Sequence, residues 1–237
     1  MIDVVYEDNH LLVVLKPQNV PTQEDNSKDK DLLTMVKEYV KEKYNKEGEA
    51  FVGLVHRLDR PTGGLMVFAK TSKCASRLTE QIQNGELNKE YLAVLCGKPN
   101  FNVDVLTNYL KKDDKNNIVK VVPQYEEYAK YAELSYNILE TCETKNSVLS
   151  LAKIKLKTGR SHQIRVQFST IHCPVFGDVK YGGDIVKGYN LALWSYKLSF
   201  LHPITKQPLT FICFPPTEDE PWRLFMSSFK GQLNNAF

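Results

Sequence analysis

The sequence lacks the long apolar runs and the cysteine patterns that mark membrane and secreted proteins. No apolar stretch approaches the roughly 18 residues that a membrane-spanning helix needs. The N-terminus has acids before its apolar stretch, and it has neither the basic region nor the small-residue cleavage site of a signal peptide. The five cysteines are scattered, odd in number and free of any CxxC pair. These absences argue against a zinc site and a disulfide framework, and they favour reduced thiols in the cytoplasm.

Repeats, low-complexity tracts and Gly/Ser linkers are also missing from the 237 residues. A chain of this length fits one large domain or two closely packed lobes, and it can bury a real core. Hydrophobic residues make up 42% of the chain and charged residues 25%, as in an ordinary folded protein. We therefore expect a single domain over residues 1–237.

Positive charge is concentrated in two blocks, although the net charge is only +3. Residues 51–100 carry 7 Lys and Arg against 4 Asp and Glu, and residues 151–200 carry 8 against 2. Such a bias suits a polyanion such as RNA. On charge alone, a solvated face is the simpler interpretation.

Hydrophobic periodicity predicts an α+β protein with many short strands and a few helices. Helical spacing predicts an amphipathic helix over residues 31–45 and a second helix that is capped by Ser72 and stops near Gly85. A third helix should begin near Ser161, and a short one should follow Pro221. Strands are predicted at residues 4–6, 11–15, 63–69, 91–96, 132–139, 149–157, 192–200 and 209–214. This mixture predicts a mostly antiparallel or mixed sheet.

The first segment that carries chemistry is a tight turn before a buried strand, HRLDRPTGGL at residues 56–65. Its one carboxylate, Asp59, lies between Arg57 and Arg60, and a proline with two glycines forces the turn. Functional residues favour such loops on rigid scaffolds. The local sequence leaves open that Asp59 only caps the turn, as Asp often does.

The second segment is a basic strand that runs into a glycine turn and a helix, KTGRSHQIR at residues 157–165. A helix N-terminus is a ready anion site. Lys153, Lys155 and Lys157 alternate with apolar residues and so share one face of the strand. With Arg160 they form a basic strip that should neutralise RNA phosphates. A half-buried sheet with one wet side would show the same alternation.

Arg165 on the predicted third helix could point partly inward, where it would need an acidic partner. Asp59 is a plausible partner, because residues 151–200 hold only Asp178 and Asp184. Such pairing would lower the pKa of Asp59 and make it a poor general acid and a weak base. The roles that remain are a nucleophile and a stabiliser of an oxocarbenium ion. Both roles suit the breaking of a glycosidic bond.

Several segments, taken together in this order, resemble RluA-type pseudouridine synthases. They are the Lys-Pro at residues 16–17, HRLDRPTGGL, KEYLA at 89–93, GRSHQIR at 159–165, GDVKYG at 177–182 and SFLHP at 199–203. The resemblance spans roughly residues 3–215, and the HRLD and HQIR segments at this separation are specific. It implies a mixed, mostly antiparallel β-sheet split by a central catalytic cleft, with a few flanking helices. Because it starts almost at Met1, we expect no separate N-terminal RNA-binding domain.

The resemblance implies an isomerase that converts a specific uridine of structured ribosomal or transfer RNA to pseudouridine. It implies Asp59 as the nucleophile, Arg165 as its ion-pair partner and Tyr91 stacked on the uracil, although a strand tyrosine is more often a core residue. Arg57 would fill the gap left by the flipped base, and Ile164 would line the pocket. The RNA-binding residues implied are His56, Arg57, Arg60, Thr62, Lys157, Arg160, His162, Gln163 and Ile164.

The same resemblance implies no metal and no cofactor, an RNA stem-loop as the partner, no membrane partner and a monomer. Two other functions compete with it. A catalytically idle RNA-binding or chaperone module would be indicated by loss of the carboxylate, but Asp59 is present. A nucleoside or glycoside hydrolase usually needs a second acid, and neither segment supplies an obvious one.

Overall fold

The computed structural model describes residues 2–45, 47–145, 147–182 and 188–229. The chain forms two compact units, Met1–Lys89 with Ser195–Cys213, and Glu90–Trp194 with Phe214–Phe237. That residues 1–237 act as one catalytic domain stays a prediction. Within the described ranges, no helix is both long enough and apolar enough to span a membrane.

Eleven strands and three α-helices are described, together with one short 3-10 helix. In chain order they are β1 Asp3–Glu7, β2 Leu11–Lys16, α1 Leu32–Lys43, β3 Gly53–Leu54, β4 Gly63–Ala69, α2 Ser72–Gln83, β5 Asn88–Cys96, β6 Val103–Asp113, β7 Ile118–Val122, β8 Lys130–Glu143, β9 Val148–Leu156, α3 Gln163–Thr170, β10 Leu193–Leu201, β11 Pro208–Ile212 and the 3-10 helix Trp222–Phe225. The strand pairs whose register is resolved are antiparallel. The prediction of a mainly antiparallel sheet with flanking helices is therefore confirmed, and the catalytic cleft stays a prediction.

The first unit is built around β2 and β4, which pair antiparallel and are almost entirely buried. Continuous apolar runs fit strands that are covered on both faces. Leu11, Val13, Leu65 and Val67 pack with Leu78 of α2 in one core cluster. This core supports the turn that immediately precedes β4.

Gly64, near the start of β4, allows a close backbone approach inside the first unit. Its φ is +116°, and a Cβ atom there would collide with the backbone of Ser195 in β10. Only glycine combines this conformation with this contact. Gly64 of the HRLDRPTGGL segment is thus explained by packing as well as by the turn.

The second unit contains an antiparallel sheet in the order β5-β9-β8-β6-β7. Tyr91, Ile154 and Tyr136 are cross-strand partners, so their side chains share the face that we call the inner face. Helix α3 packs on the inner face, where Phe168 contacts the ring of Tyr136 at 5.2 Å between centroids. Lys155 belongs to the neighbouring row and points to the opposite side, the outer face.

The helix starts differ from the prediction by one or two residues. The N-cap of α2 is Thr71, whose hydroxyl accepts a hydrogen bond from the Cys74 N–H at 3.2 Å, so Ser72 is the first helical residue and not the cap. Helix α3 begins at Gln163, after His162 in a left-handed conformation with φ of 51°. Strands β3, β6 and β7 were absent from the predicted set.

Candidate active site

Asp59 lies in a turn that a buried lysine holds in place. The turn is closed by a hydrogen bond from the Thr62 N–H to the Asp59 carbonyl at 2.9 Å. Lys16, the last residue of β2, is fully buried. Its ammonium donates to the carbonyls of Pro17, Arg60 and Thr62 at 3.0, 2.9 and 2.8 Å. The backbone on the C-terminal side of Asp59 is therefore fixed to the core strand.

The charge of Lys16 is expensive to bury and is offset only in part. Burial lowers the pKa of Lys16 to about 7, the negative charge of Asp59 raises it, and the positive charge of Arg60 lowers it further. The charge of Asp59 therefore partly offsets the cost of burying the Lys16 ammonium. The sequence indicated the Lys-Pro pair only as a weak motif, and the structure gives it a role in the turn.

His56 and Thr62 support the turn from inside the first unit. Both are buried, and Nε2 of His56 accepts a hydrogen bond from the Val67 N–H of β4 at 3.1 Å. Burial lowers the pKa of His56 to about 3, and the charge of Lys89 acts in the same direction. The imidazole is therefore neutral, with its proton on Nδ1. Direct RNA contacts by His56 and Thr62 stay predictions.

The two arginines beside Asp59 differ in their surroundings. Arg57 is exposed. Arg60 forms ion pairs with Asp29 and, from Nη1 to Oδ2 at 3.6 Å, with Asp25. Both acids precede α1, and no local sequence pattern predicts this pairing. Arg57 is thus open to a ligand, whereas Arg60 already has carboxylate partners.

Arg165 in the second unit points inward, as predicted, and has a buried acidic partner. Its Nε and Nη2 atoms contact Oδ2 and Oδ1 of Asp178 at 2.7 and 2.8 Å. The guanidinium carbon lies 5.1 Å from the centre of the Tyr181 ring. Asp178 also accepts hydrogen bonds from the backbone N–H groups of Lys180 and Tyr181. A bidentate pair of this kind fixes both side chains.

The sequence named Asp178 only as one of two acids near Arg165 and favoured Asp59 as the partner. The other acid, Asp184, lies outside the described residues. The structure shows Asp178 as a partner, and the pairing of Arg165 with Asp59 stays a prediction.

The start of α3 is held by Gln163, which is buried. Its Oε1 accepts hydrogen bonds from the Thr158 hydroxyl at 2.8 Å and the Arg160 N–H at 3.0 Å, and its Nε2 donates to the Glu133 carbonyl at 3.1 Å. His162 contacts the Tyr181 hydroxyl through Nδ1 at 2.7 Å. These bonds order the glycine turn, and RNA contacts by Gln163 and His162 stay predictions.

The basic strip and Tyr91 lie on opposite faces of the second unit's sheet. Tyr91 is 5% exposed and shares the inner face with Ile154, on the side where α3 buries Ile164. Lys153 and Lys155 point to the outer face. Lys157, just past the end of β9, contacts Glu133 at 3.0 Å. The lysines therefore share one face, as the sequence predicts, but this face is not the one that holds Tyr91.

Arg160 extends this basic strip at the end of β9. It is exposed, and its Nε donates to the Tyr131 carbonyl at 2.9 Å.

In the part of the chain that the structure describes, no group of three or more His, Cys, Asp and Glu residues is placed to hold a metal ion.

Comparison with known proteins gives one consistent result. The family model for RNA pseudouridylate synthase matches residues 10–170. A ribosomal large subunit pseudouridine synthase D from Yersinia pestis is 33% identical over 218 residues, which cover 86% of this chain and 64% of the relative. The corresponding protein from Vibrio parahaemolyticus is 30% identical, with 89% of this chain and 66% of the relative covered. This chain thus spans slightly less than two thirds of these relatives.

A tRNA pseudouridine synthase C from Haemophilus ducreyi is similar over its whole length, with 28% identity, 100% of this chain and 99% of the relative covered. Among solved structures, human RNA pseudouridylate synthase domain containing 4 aligns with a TM-score of 0.74 at 22% identity. The alignment covers 96% of this chain and 92% of that one. This likeness supports the fold.

Proposed function

The chain belongs to the RNA pseudouridylate synthase family, and from this premise we propose that it isomerises a specific uridine of ribosomal or transfer RNA to pseudouridine. The observation that carries the proposal is the Asp59 turn. Half-buried Asp59 lies two residues after exposed Arg57, and buried Lys16 donates hydrogen bonds to the backbone carbonyls that follow Asp59. Relatives named for large-subunit ribosomal RNA and for transfer RNA support either substrate. The five cysteines are free, which suits the cytoplasm.

In the proposed reaction, Asp59 is the nucleophile that assists cleavage of the bond between C1′ of the ribose and N1 of uracil. The freed uracil turns and rejoins C1′ through carbon 5, and the hydrogen on carbon 5 leaves as a proton while N1 gains one. No atom is added or removed, so water is not a reactant and no second acid is needed to activate it. This distinguishes the reaction from glycoside hydrolysis.

The other proposed roles follow from the placement of the side chains. Arg57, being exposed, takes the place of the flipped base, because a stacked base must leave the helix before it can react. Tyr91 presents its ring from the inner face for stacking on the uracil. The Arg165–Asp178 pair fixes the start of α3, where Ile164 lines the base pocket.

Mapping of pseudouridine in cells tests this proposal. Total RNA from cells with and without the gene is treated with carbodiimide and read by primer extension, and we expect a stop at one or a few uridines that disappears without the gene. A gene carrying Asp59→Asn should not restore the stop, because the amide cannot act as the nucleophile. Purified Asp59→Asn protein should bind RNA within about twofold of the wild type, because phosphate contacts come from cations.

Asp3→Asn is the matched control, since it makes the same change at an exposed position in β1. It should restore the stop fully. Full restoration by Asp59→Asn would contradict the nucleophile role, and identical maps with and without the gene would contradict the proposed function itself.

A further inference from the structure

In the second unit's sheet, the outer face is exposed at strands whose inner face is buried. On β6, β7 and β8, residues of the inner face such as Leu110, Val119 and Ala132 are buried with Val166 of α3. Their neighbours on the outer face, such as Val105 and the residues opposite it, are exposed or half-buried. Among the described residues, no element covers this part of the outer face.

Lysines dominate the charge of this open face. The cross-strand register places four of them on it, which are Lys111, Lys120, Lys153 and Lys155, and Lys157 contacts Glu133 of this face just past the end of β9. The acids of the same face include Glu90, Asp113 and Glu133. With strands about 4.8 Å apart and about 3.3 Å of rise per residue, the lysines spread over roughly 25 Å. That distance corresponds to several phosphates of a nucleic-acid strand.

Three of these lysines have no ion pair among the described residues. Lys111 contacts Glu126 at 2.6 Å and Lys157 contacts Glu133 at 3.0 Å. The three without a pair are Lys120, Lys153 and Lys155, of which Lys120 and Lys155 are exposed. Lys120 acts electrostatically on Asp113 without forming an ion pair with it. The charge of these three lysines is available to an anion without breaking an existing pair.

Aromatic side chains lie among the lysines. Tyr109 and Tyr131 are cross-strand partners on the outer face, and their rings meet edge to face at 5.7 Å between centroids. Tyr131 is exposed and Tyr109 is half-buried. Aromatic rings beside cations form the kind of surface on which single-stranded nucleic acid stacks. The backbone of Tyr131 also holds Arg160 at the edge of the face.

Resting on the proposed function, we propose that the outer face binds a second segment of the RNA substrate through its phosphates. The nucleotide that stacks on Tyr91 lies on the inner face, so the outer lysines contact a different part of the same RNA. Recognition then needs an RNA longer than the stem-loop that carries the target uridine. Its phosphate contacts add affinity without reading sequence.

The test compares a face variant, Lys120→Glu with Lys155→Glu, with the wild type on two RNAs. One is a hairpin of about 20 nucleotides with a uridine in its loop, and the other is an unmodified ribosomal RNA transcript of about 120 nucleotides that contains this hairpin. At low salt the face variant should bind the long RNA about tenfold more weakly, and its log–log salt slope should fall by about 2. Affinity for the hairpin should stay within about twofold, because a hairpin of this size reaches only one face.

The matched control is Lys41→Glu with Lys73→Glu, which makes the same change of net charge on α1 and α2. It should leave the affinity of both RNAs close to that of the wild type. The inference is overturned if the face variant and the control bind the long RNA equally, or if the face variant loses both RNAs to the same extent. Binding is measured without turnover, so an absence of pseudouridine would count against the proposed function alone.

Discussion

Tyr91 combines a buried ring with a proposed task that needs its hydroxyl. After uracil rejoins the ribose through carbon 5, a proton must leave that carbon. Arg165 is always protonated and cannot accept it, and Asp59 acts at the sugar in the proposed reaction. Tyr91 is the remaining candidate for this transfer.

Tyr91→Phe should therefore bind RNA within about twofold of the wild type, because the ring still stacks. It should release tritium from uridine labelled at carbon 5 at least about a hundredfold more slowly, since a positioned acid or base contributes roughly this factor. Tyr125→Phe, which removes the hydroxyl of an exposed tyrosine with no proposed role, is the control and should release tritium normally. Normal tritium release by Tyr91→Phe would contradict the proton-transfer role and leave Tyr91 only the role of stacking on the base.

Single residues were easier to locate from the sequence than their partners. The proline and glycines around Asp59 predict a turn because few other backbones accommodate them. The carbonyls that Lys16 binds lie 44 and 46 positions along the chain, and no local pattern encodes such contacts. Asp178 was equally hidden, since it follows Arg165 by 13 residues in a non-helical segment. These partners depend on tertiary packing.

Helix α3 depends on one buried ion pair. The side chains of Arg165 and Asp178 are 6% and 0% exposed, and removing one partner of a buried ion pair is strongly destabilising. Asp178→Asn should lower the free energy of unfolding by about 3 kcal/mol or more in urea titrations. The double variant Arg165→Met with Asp178→Leu removes both charges and should lose less. A double variant as unstable as Asp178→Asn would mean that packing, and not charge, dominates at this position.

Strands β6 and β7 were not predicted because their apolar and polar residues do not alternate regularly along the chain. On β6 only Leu106 and Leu110 are buried, while Val103 and Val105 lie exposed on the opposite side. Apolar residues on both faces remove the two-residue period that identifies a half-buried strand. Strands β2, β4 and β9 were predicted almost to the residue, because their buried positions are apolar.

The stability of the whole molecule should fall on mild acidification because of His56. Its pKa is lowered to about 3 in the folded protein and is close to 6.5 when unfolded. At pH values between these two pKa values, the unfolded chain binds a proton on His56 and the folded chain does not. The free energy of unfolding therefore falls as the pH falls. Below about pH 6 this single group should contribute a slope of about 1.4 kcal/mol per pH unit.

Urea titrations at pH 7, 6, 5 and 4 measure this slope. His56→Gln should reduce the slope by the amount that corresponds to one bound proton, about 1.4 kcal/mol per pH unit. This holds whatever the substitution does to stability at pH 7, because the slope depends only on proton binding. His172→Gln alters an exposed histidine and should leave the slope unchanged. A slope that is the same in His56→Gln and the wild type would show that His56 does not govern the acid response.

Lys16 has one further property, which concerns covalent labelling. Since burial lowers its pKa to about 7, a share of the molecules carries an uncharged, nucleophilic amine at neutral pH. Full burial keeps acylating reagents away from this amine as long as the turn around Asp59 is closed. The acylation rate of Lys16 therefore reports how often the turn opens. An RNA that keeps the turn closed should lower this rate.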